Sequence, residues 1–196
     1  MVNLINLSLL YPVTNHILTM RKLLFSVLSI LILFGMSSCQ DQRRAKNYND
    51  KTLADDAAIH FIKNGIEGSL VEIKAANIAK SRSSNPQIIN FANMMITHHT
   101  ETVNELKKIQ ADKLVSSRDS INTEHENALA MLSSKSGVEF DKMYIEMMIM
   151  DHEKAIELFK GVGNNTSGTI QTFAAKTLPS LQTHLDEAKK ISESLK

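Results

Sequence analysis

The chain has 196 residues, of which 43% are hydrophobic, together with a single cysteine and a formal net charge of +1 at neutral pH. This length and apolar content are enough for one globular domain with its own core, and we expect no second domain. The near balance of charges excludes the strongly basic surface that is typical of nucleic-acid binding, so we expect no nucleic-acid partner. One cysteine also excludes an intrachain disulfide.

The stretch from Met20 to Gln40, MRKLLFSVLSILILFGMSSCQ, has the three parts of a secretory signal peptide. Two basic residues open it, a largely apolar run from Leu23 to Met36 follows, and small residues end it. The run is shorter than the roughly 20 apolar residues that a membrane-spanning helix needs. We therefore expect residues 1–38 to be a signal peptide. Because residues 1–19 carry no charge and precede a complete signal, we expect the true start at Met20.

The end of this signal, Met-Ser-Ser-Cys at residues 36–39, resembles a bacterial lipobox, although methionine is less usual at its first position. In a lipobox the cysteine is lipidated and becomes the first residue of the mature protein. The alternative is an ordinary free thiol, but Cys39 is the only cysteine and lies at the cleavage point. Residues 39–51 are polar, as a tether between lipid and domain would be. We expect a lipoprotein of the bacterial cell envelope, held to the membrane by lipid on Cys39 and either facing the periplasm or in the outer membrane.

Residues 52–196 are expected to form a helical domain, because apolar side chains recur at spacings of three and four. A capping-box pattern, Thr-Leu-Ala-Asp at 52–55, predicts the start of a first long helix that ends near Ser81. Asn85 as N-cap and Pro86 in the first turn predict the start of a second.

A shorter helix is expected from Ser120 to Leu132, and Ser-Gly-Val-Glu at 136–139 predicts the start of a third long helix. The composition of Gly161 to Gly168 is typical of a loop before the last helix. No stretch alternates like a strand, so the sequence predicts an all-α four-helix bundle with a short extra helix between the second and third long helices. The expected core comprises Ile59, Ile62, Ile66, Leu70, Ile73, Ile88, Phe91, Met95, Val103, Leu106, Tyr144, Ile145, Met148, Ala155, Ile156, Phe159, Ile170, Phe173, Leu178, Leu181, Leu185, Ala188, Ile191 and Leu195.

Three of the long helices place one histidine on their apolar face: His99, His152 and His184. The first helix contributes Glu72. Gly65 and Gly68 share its helix face, and they serve either close contact with a neighbouring helix or open space beside that face. Whether residues 112–137 cross the length of the bundle or not, these four groups are expected near its middle, within about a turn of one another. His98 is expected at the flank of its helix.

Neutral imidazoles and a carboxylate that converge from four helices would suit a divalent transition metal such as zinc, iron or copper. Alternatively, each histidine donates to a buried carboxylate or carbonyl and only orders the core. The second and third long helices contain many methionines, whose thioether groups are ligands that favour copper(I). Methionine is, however, more often an adaptable side chain that fills the core. Hydrolase and phosphate-binding motifs are absent from the sequence, so no catalytic residue is assigned.

The segments FANMMITHHTETVNEL, GVEFDKMYIEMMIMDHEKAIELF and FAAKTLPSLQTHLDEAK resemble a bacterial family known as domain of unknown function 4142, whose members are mostly exported. The resemblance implies a ferritin-like bundle, a long crossover between the second and third long helices, and recurrent histidines at His99, His152 and His184. Ferritin-type di-iron sites use Glu-x-x-His on two helices, whereas here isoleucine or leucine lies three residues before each histidine.

Together these observations favour an envelope lipoprotein with a metal site made of Glu72, His99, His152 and His184. The competing hypothesis is a non-catalytic interaction or stress-related envelope module in which the same histidines are structural.

Overall fold

The computed structural model describes residues 54–116, 120–162 and 166–196. Within these residues the chain forms helices and no strand, which confirms the all-α class. The helices are α1 (Asp56–Arg82), α2 (Pro86–Asp112), α3 (Thr123–Ser133), α4 (Gly137–Lys160) and α5 (Gly168–Ser194). None of them is long and apolar enough to cross a membrane. The expected signal peptide, Cys39 and the expected tether lie outside the described residues.

Side-chain caps fix the first residue of three helices. The Asp55 carboxylate accepts a hydrogen bond from the Ala58 backbone N–H at 2.7 Å, so α1 begins after Asp55 and not at the Thr52 pattern. Asn85 caps α2 as predicted, by accepting from the Gln87 backbone N–H at 2.9 Å. The side chain of Asn122 caps α3, which therefore begins three residues after the predicted Ser120.

The start of α4 was located correctly, but its predicted capping box does not form. Ser136 is the N-cap residue, yet its side chain makes no capping hydrogen bond. Glu139, the expected partner in the box, instead pairs with the Lys135 ammonium group at 2.5 Å. The backbone of Gly137 has a φ of +58°, a conformation that glycine adopts without strain.

Two apolar clusters show how the four long helices run. The upper cluster joins 71–79 of α1 and 88–95 of α2 with 140–148 of α4, 188–191 of α5 and two leucines of α3. The lower cluster joins the opposite halves of the same four helices. Because the end of α1 meets the start of α4, these two helices are antiparallel, and α2 and α5 are antiparallel for the same reason.

It follows that α2 ends at the lower end of the bundle and α4 begins at the upper end. The connection between them, which includes α3, therefore crosses the length of the bundle, as the family resemblance implied. Helix α3 packs on α1 and α4. The predicted core is largely confirmed, and the members that are only half-buried are Ile59, Leu70, Ile73, Ala155, Leu178 and Leu195. Met95, Met147 and Met148 pack in the upper cluster as core side chains.

Candidate metal centre

A layer of polar side chains lies between the upper and lower clusters. Each long helix contributes one member: Glu72 from α1, His99 from α2, His152 from α4 and His184 from α5. None of the four is more than 3% exposed. The sequence prediction that these four residues meet in the middle of the bundle is therefore consistent with their placement, and the chemistry of the layer depends on how their polar atoms are partnered.

The three histidines approach one another closely enough to share an ion. One ring nitrogen of each lies within 4.8 Å of the corresponding nitrogen of the other two. Nε2 of His152 and Nδ1 of His184 lie 3.2 Å apart. Two nitrogens on one tetrahedral zinc ion, with bonds of about 2.0–2.1 Å, lie about 3.3 Å apart. The histidine group is thus close to the spacing that a single ion requires.

Glu72 completes the layer from the side of α1. Its Oε2 lies 2.5 Å from Nε2 of His99, and its Oε1 lies 3.7 Å from Nδ1 of His152. The first contact is within hydrogen-bond distance, so Oε2 and Nε2 are partners of each other, and neither atom has another polar partner. Burial raises the pKa of the Glu72 carboxyl, but the electrostatic effect of the neighbouring His99 and His152 outweighs burial and lowers it to about 2. Glu72 is therefore an ionised carboxylate buried against two imidazoles.

The second ring nitrogen of each histidine has its own polar partner. Nδ1 of His152 donates to the backbone carbonyl of Met148 at 2.8 Å, and Nδ1 of His99 lies 3.4 Å from the Ser69 hydroxyl. Nε2 of His184 lies 2.7 Å from Nδ1 of His98. Such outer partners fix the tautomer of a ligating histidine. They leave Nε2 of His99, Nε2 of His152 and Nδ1 of His184 available as metal ligands.

His184 is electrically neutral in this environment. Burial lowers the pKa of its imidazole, and the neighbouring His99, His152 and His98 lower it further, to about 3, against the opposite effect of Glu72. A neutral imidazole keeps a nitrogen lone pair, which is the form that binds a metal.

His98 belongs to the site, although the sequence placed it only at the flank. It is half-buried, as a flank position would be, but its ring stacks on that of His184 with centroids 5.0 Å apart and planes at 20°. The hydroxyl of Ser180 also lies 3.3 Å from Nε2 of His184, and Ser180 was not predicted from the sequence as a site residue. Its spacing could have indicated it, because Ser180 lies four residues before His184 and residues four apart share a helix face.

A cavity of about 260 Å³ adjoins the layer on the side of Glu72 and His99. Its wall includes both glycines of α1, and they have different roles. A Cβ on Gly65 would lie 2.9 Å from Cδ1 of Leu106, so this glycine allows α1 and α2 to pack closely. A Cβ on Gly68 would meet nothing within 4 Å, so this glycine adjoins open space. The sequence left close packing and open space as alternatives for both glycines, and the structure shows close packing at Gly65 and open space at Gly68.

Several further polar residues in the cavity wall were not anticipated, among them Glu67, His125 and Asp151. Nδ1 of His125 lies 2.8 Å from Oε1 of Glu67 and so ties α3 to α1. Asp151 is half-buried, and burial together with the charge of Glu72 raises its pKa to about 6, against the opposite effects of Lys154 and His125. No local pattern in the sequence could have shown that α3 and α4 meet α1 at this point.

The donor set suits one ion and not a ferritin-type pair. Among the described residues, Glu72 is the carboxylate that forms close charge contacts with the buried histidines. Ferritin-type di-iron centres use four glutamates with two histidines. Imidazole-rich sites with one carboxylate suit zinc, copper or iron as a single ion.

Comparisons with known proteins agree with this fold. The structure is similar to the crystal structure of a DUF305 fragment from Deinococcus radiodurans, with a TM-score of 0.66 and 13% sequence identity over 72% of this chain and 98% of that chain. At that identity the likeness shows the fold alone. No curated protein matches the chain. The family model described as "Domain of unknown function (DUF4142)" matches residues 42–191. Because that match covers most of its length, the chain belongs to the DUF4142 family.

Proposed function

We propose that this protein is an envelope lipoprotein whose bundle binds one divalent transition-metal ion, with zinc, iron or copper as the candidates. The ligands are His99, His152 and His184, with Glu72 as the fourth. The observation that carries the proposal is the meeting of three buried imidazoles from three helices, with ligand nitrogens within 4.8 Å of one another.

The charges in the layer support the same proposal. Glu72 is ionised and fully enclosed, so a positive charge beside it would be strongly favoured. Without a metal ion, that charge would have to come from imidazole groups, yet burial disfavours protonation of His184. A divalent cation would satisfy the carboxylate while all three histidines stay neutral.

Binding would require only local movement of side chains. The contact of 2.5 Å between Glu72 and His99 is shorter than the roughly 3.3 Å between two ligands of a tetrahedral ion, so this pair has to open by somewhat less than 1 Å. The separation of 3.2 Å between His152 and His184 already matches. The backbone of four packed helices can remain in place.

The alternative is that protons and not a metal hold the layer together, and one set of contacts favours it. Nδ1–H of His98 can donate to Nε2 of His184, and Nδ1–H of His184 can donate to Nε2 of His152. His152 then donates to the carbonyl of Met148. This chain satisfies both nitrogens of His184 and of His152, and Glu72 and Ser69 lie beside the nitrogens of His99, so the histidines would be structural.

Metal analysis of the full chain purified in detergent separates these two functions. We expect about one ion per chain in the wild type and a higher melting temperature after zinc, iron or copper is added. The His99→Ala/His152→Ala double variant is expected to lose both properties. His60→Ala is the matched control, because His60 is exposed on α1 and is not one of the four proposed ligands. A wild type with no stoichiometric metal and no melting shift would favour the structural alternative.

The membrane attachment is tested separately, because it depends on the sequence of residues 20–40. Labelling of growing cells with radioactive palmitate should introduce label into the wild type and not into Cys39→Ala. Label that survives this substitution would contradict lipidation at Cys39.

A further inference from the structure

We infer that the metal centre is open on one side, and that the cavity beside Glu72 and His99 admits a small neutral molecule that binds the ion directly. This inference rests on the proposed metal binding and adds the class of ligand that the bound ion would take. Because the four protein groups would fill a tetrahedral site, the molecule would bind the ion as a fifth ligand, an expansion that open metal sites can undergo.

The position of the cavity gives the direction of approach. Its wall includes Glu72, His99 and Ser69 of the polar layer but neither His152 nor His184. A molecule in the cavity would therefore approach the layer at Glu72 and His99.

Two buried polar atoms lie where the cavity meets the layer. Oε2 of Glu72 and Nε2 of His99 lie 2.5 Å apart and have no other polar partner, although each side chain is at most 4% exposed. Both residues belong to the cavity wall. An ion held between these two side chains would therefore be reached from the cavity.

Gly68 keeps the cavity free of side chains in the middle of α1. Glycine destabilises a helix interior relative to alanine, and here no close contact requires its small size. Gly65, one turn earlier, does serve a close contact with Leu106. The open space beside Gly68 is thus better explained by the cavity than by helix packing.

The wall chemistry selects a neutral molecule over an anion. Three carboxylates, those of Glu67, Glu72 and Asp151, line the cavity and would repel an anion. Among the other wall residues, the ammonium group of Lys154 offsets one of these negative charges, while apolar side chains such as Leu158 and Phe159 would disfavour any strongly hydrated ion. A small uncharged molecule with a nitrogen or oxygen lone pair fits both conditions.

Copper(II)-loaded full chain, titrated at pH 8 with imidazole as the neutral probe and with azide as the anionic probe, tests this inference. We expect imidazole to shift the visible absorption and the electron paramagnetic resonance spectrum saturably, at concentrations at least tenfold below those at which azide acts. Metal content measured after gel filtration shows that the copper stays bound.

Filling the cavity should abolish the response without removing the metal. In Gly68→Leu we expect stoichiometric copper and at least tenfold weaker binding of imidazole. Gly168→Leu is the matched control, because a Cβ there also meets nothing within 4 Å and the position lies outside the cavity wall. Ala155→Leu blocks the cavity from α4 and serves in place of Gly68→Leu if that variant does not fold.

The outcomes are distinct. A copper-loaded wild type that ignores imidazole, prefers azide, or responds equally after Gly68→Leu overturns the inference and leaves metal binding intact. A wild type that takes up no copper, zinc or iron overturns the proposed function itself, and the open site with it.

Discussion

Nε2 of His152 and Nδ1 of His184 lie 3.2 Å apart, although the two residues are separated by 32 positions and belong to different helices. The antiparallel packing of α4 on α5 brings them to the same depth, between two apolar clusters. The same contact can hold a proton or can be two ligands of one metal ion.

Glu72→Gln should weaken metal binding while the bundle stays folded. The amide keeps the shape of the carboxylate but lacks its charge, and the ion loses an anionic ligand. We expect an affinity at least tenfold lower in competition with a chromophoric chelator. Glu67→Gln is the control, because Glu67 contacts His125 and not the proposed ligands. Equal affinity in wild type and Glu72→Gln would show that the carboxylate is not a ligand.

His98→Ala should weaken metal binding without removing it. His98 contacts Nε2 of His184, so its loss frees the orientation and tautomer of that ring. Loss of such an outer partner typically costs about 10- to 100-fold in metal affinity. We expect one ion per chain with an affinity reduced by that factor in the same chelator assay, and no change in His60→Ala. An unaltered affinity would make His98 a surface group after all.

The metal-free protein should lose stability as pH falls below about 6.5. The pKa of His184 is lowered to about 3 in the folded chain, so at pH 3–6.5 the unfolded chain binds a proton that the folded chain does not. Glu72, with its pKa lowered to about 2, adds the same sign below its ordinary value of 4.5. Asp151, with its pKa raised to about 6, partly opposes this decline between about pH 6 and its ordinary value of 3.8. Urea unfolding at pH 8, 6.5 and 5 measures the effect. His184→Gln should flatten the decline between pH 8 and pH 5, and an unchanged decline would contradict the assignment.

Alanine should have opposite effects at the two glycines of α1. Gly68→Ala meets no neighbour and is expected to stabilise the bundle by about 0.5–1 kcal/mol through helix propensity. Gly65→Ala places its Cβ 2.9 Å from the buried Leu106 side chain, and overpacking of a core typically costs about 1–3 kcal/mol. Urea unfolding of both variants at one pH gives the comparison. Equal stabilisation by the two substitutions would mean that α1 and α2 are not in close contact at Gly65.

The sequence was sufficient for the features that depend on helix periodicity. His99, His152 and His184 interrupt apolar stripes, and a side chain in such a gap has to face the core. Their depth followed from helix lengths alone, because mid-helix residues stay central in either connection of the bundle. The crossover itself was implied by the family resemblance and not by any local pattern.

Features that depend on which helices are neighbours could not be read in this way. His98 contacts His184 only because α2 packs beside α5, and the pair of His125 with Glu67 exists only because α3 crosses over α1. The capping box of α4 could not be predicted either, because the Glu139 carboxylate pairs with Lys135. Ser136 is therefore left without the side-chain partner that the capping-box pattern implies.

Metal binding by the four buried side chains is tested most directly by anomalous diffraction from crystals of the zinc-soaked protein, measured on both sides of the zinc edge. We expect one peak within about 2.0–2.1 Å of nitrogens of His99, His152 and His184, with a Glu72 oxygen at about 2.0–2.2 Å. A map without a peak in this layer, in which His98, His184 and His152 remain joined by hydrogen bonds, would contradict it.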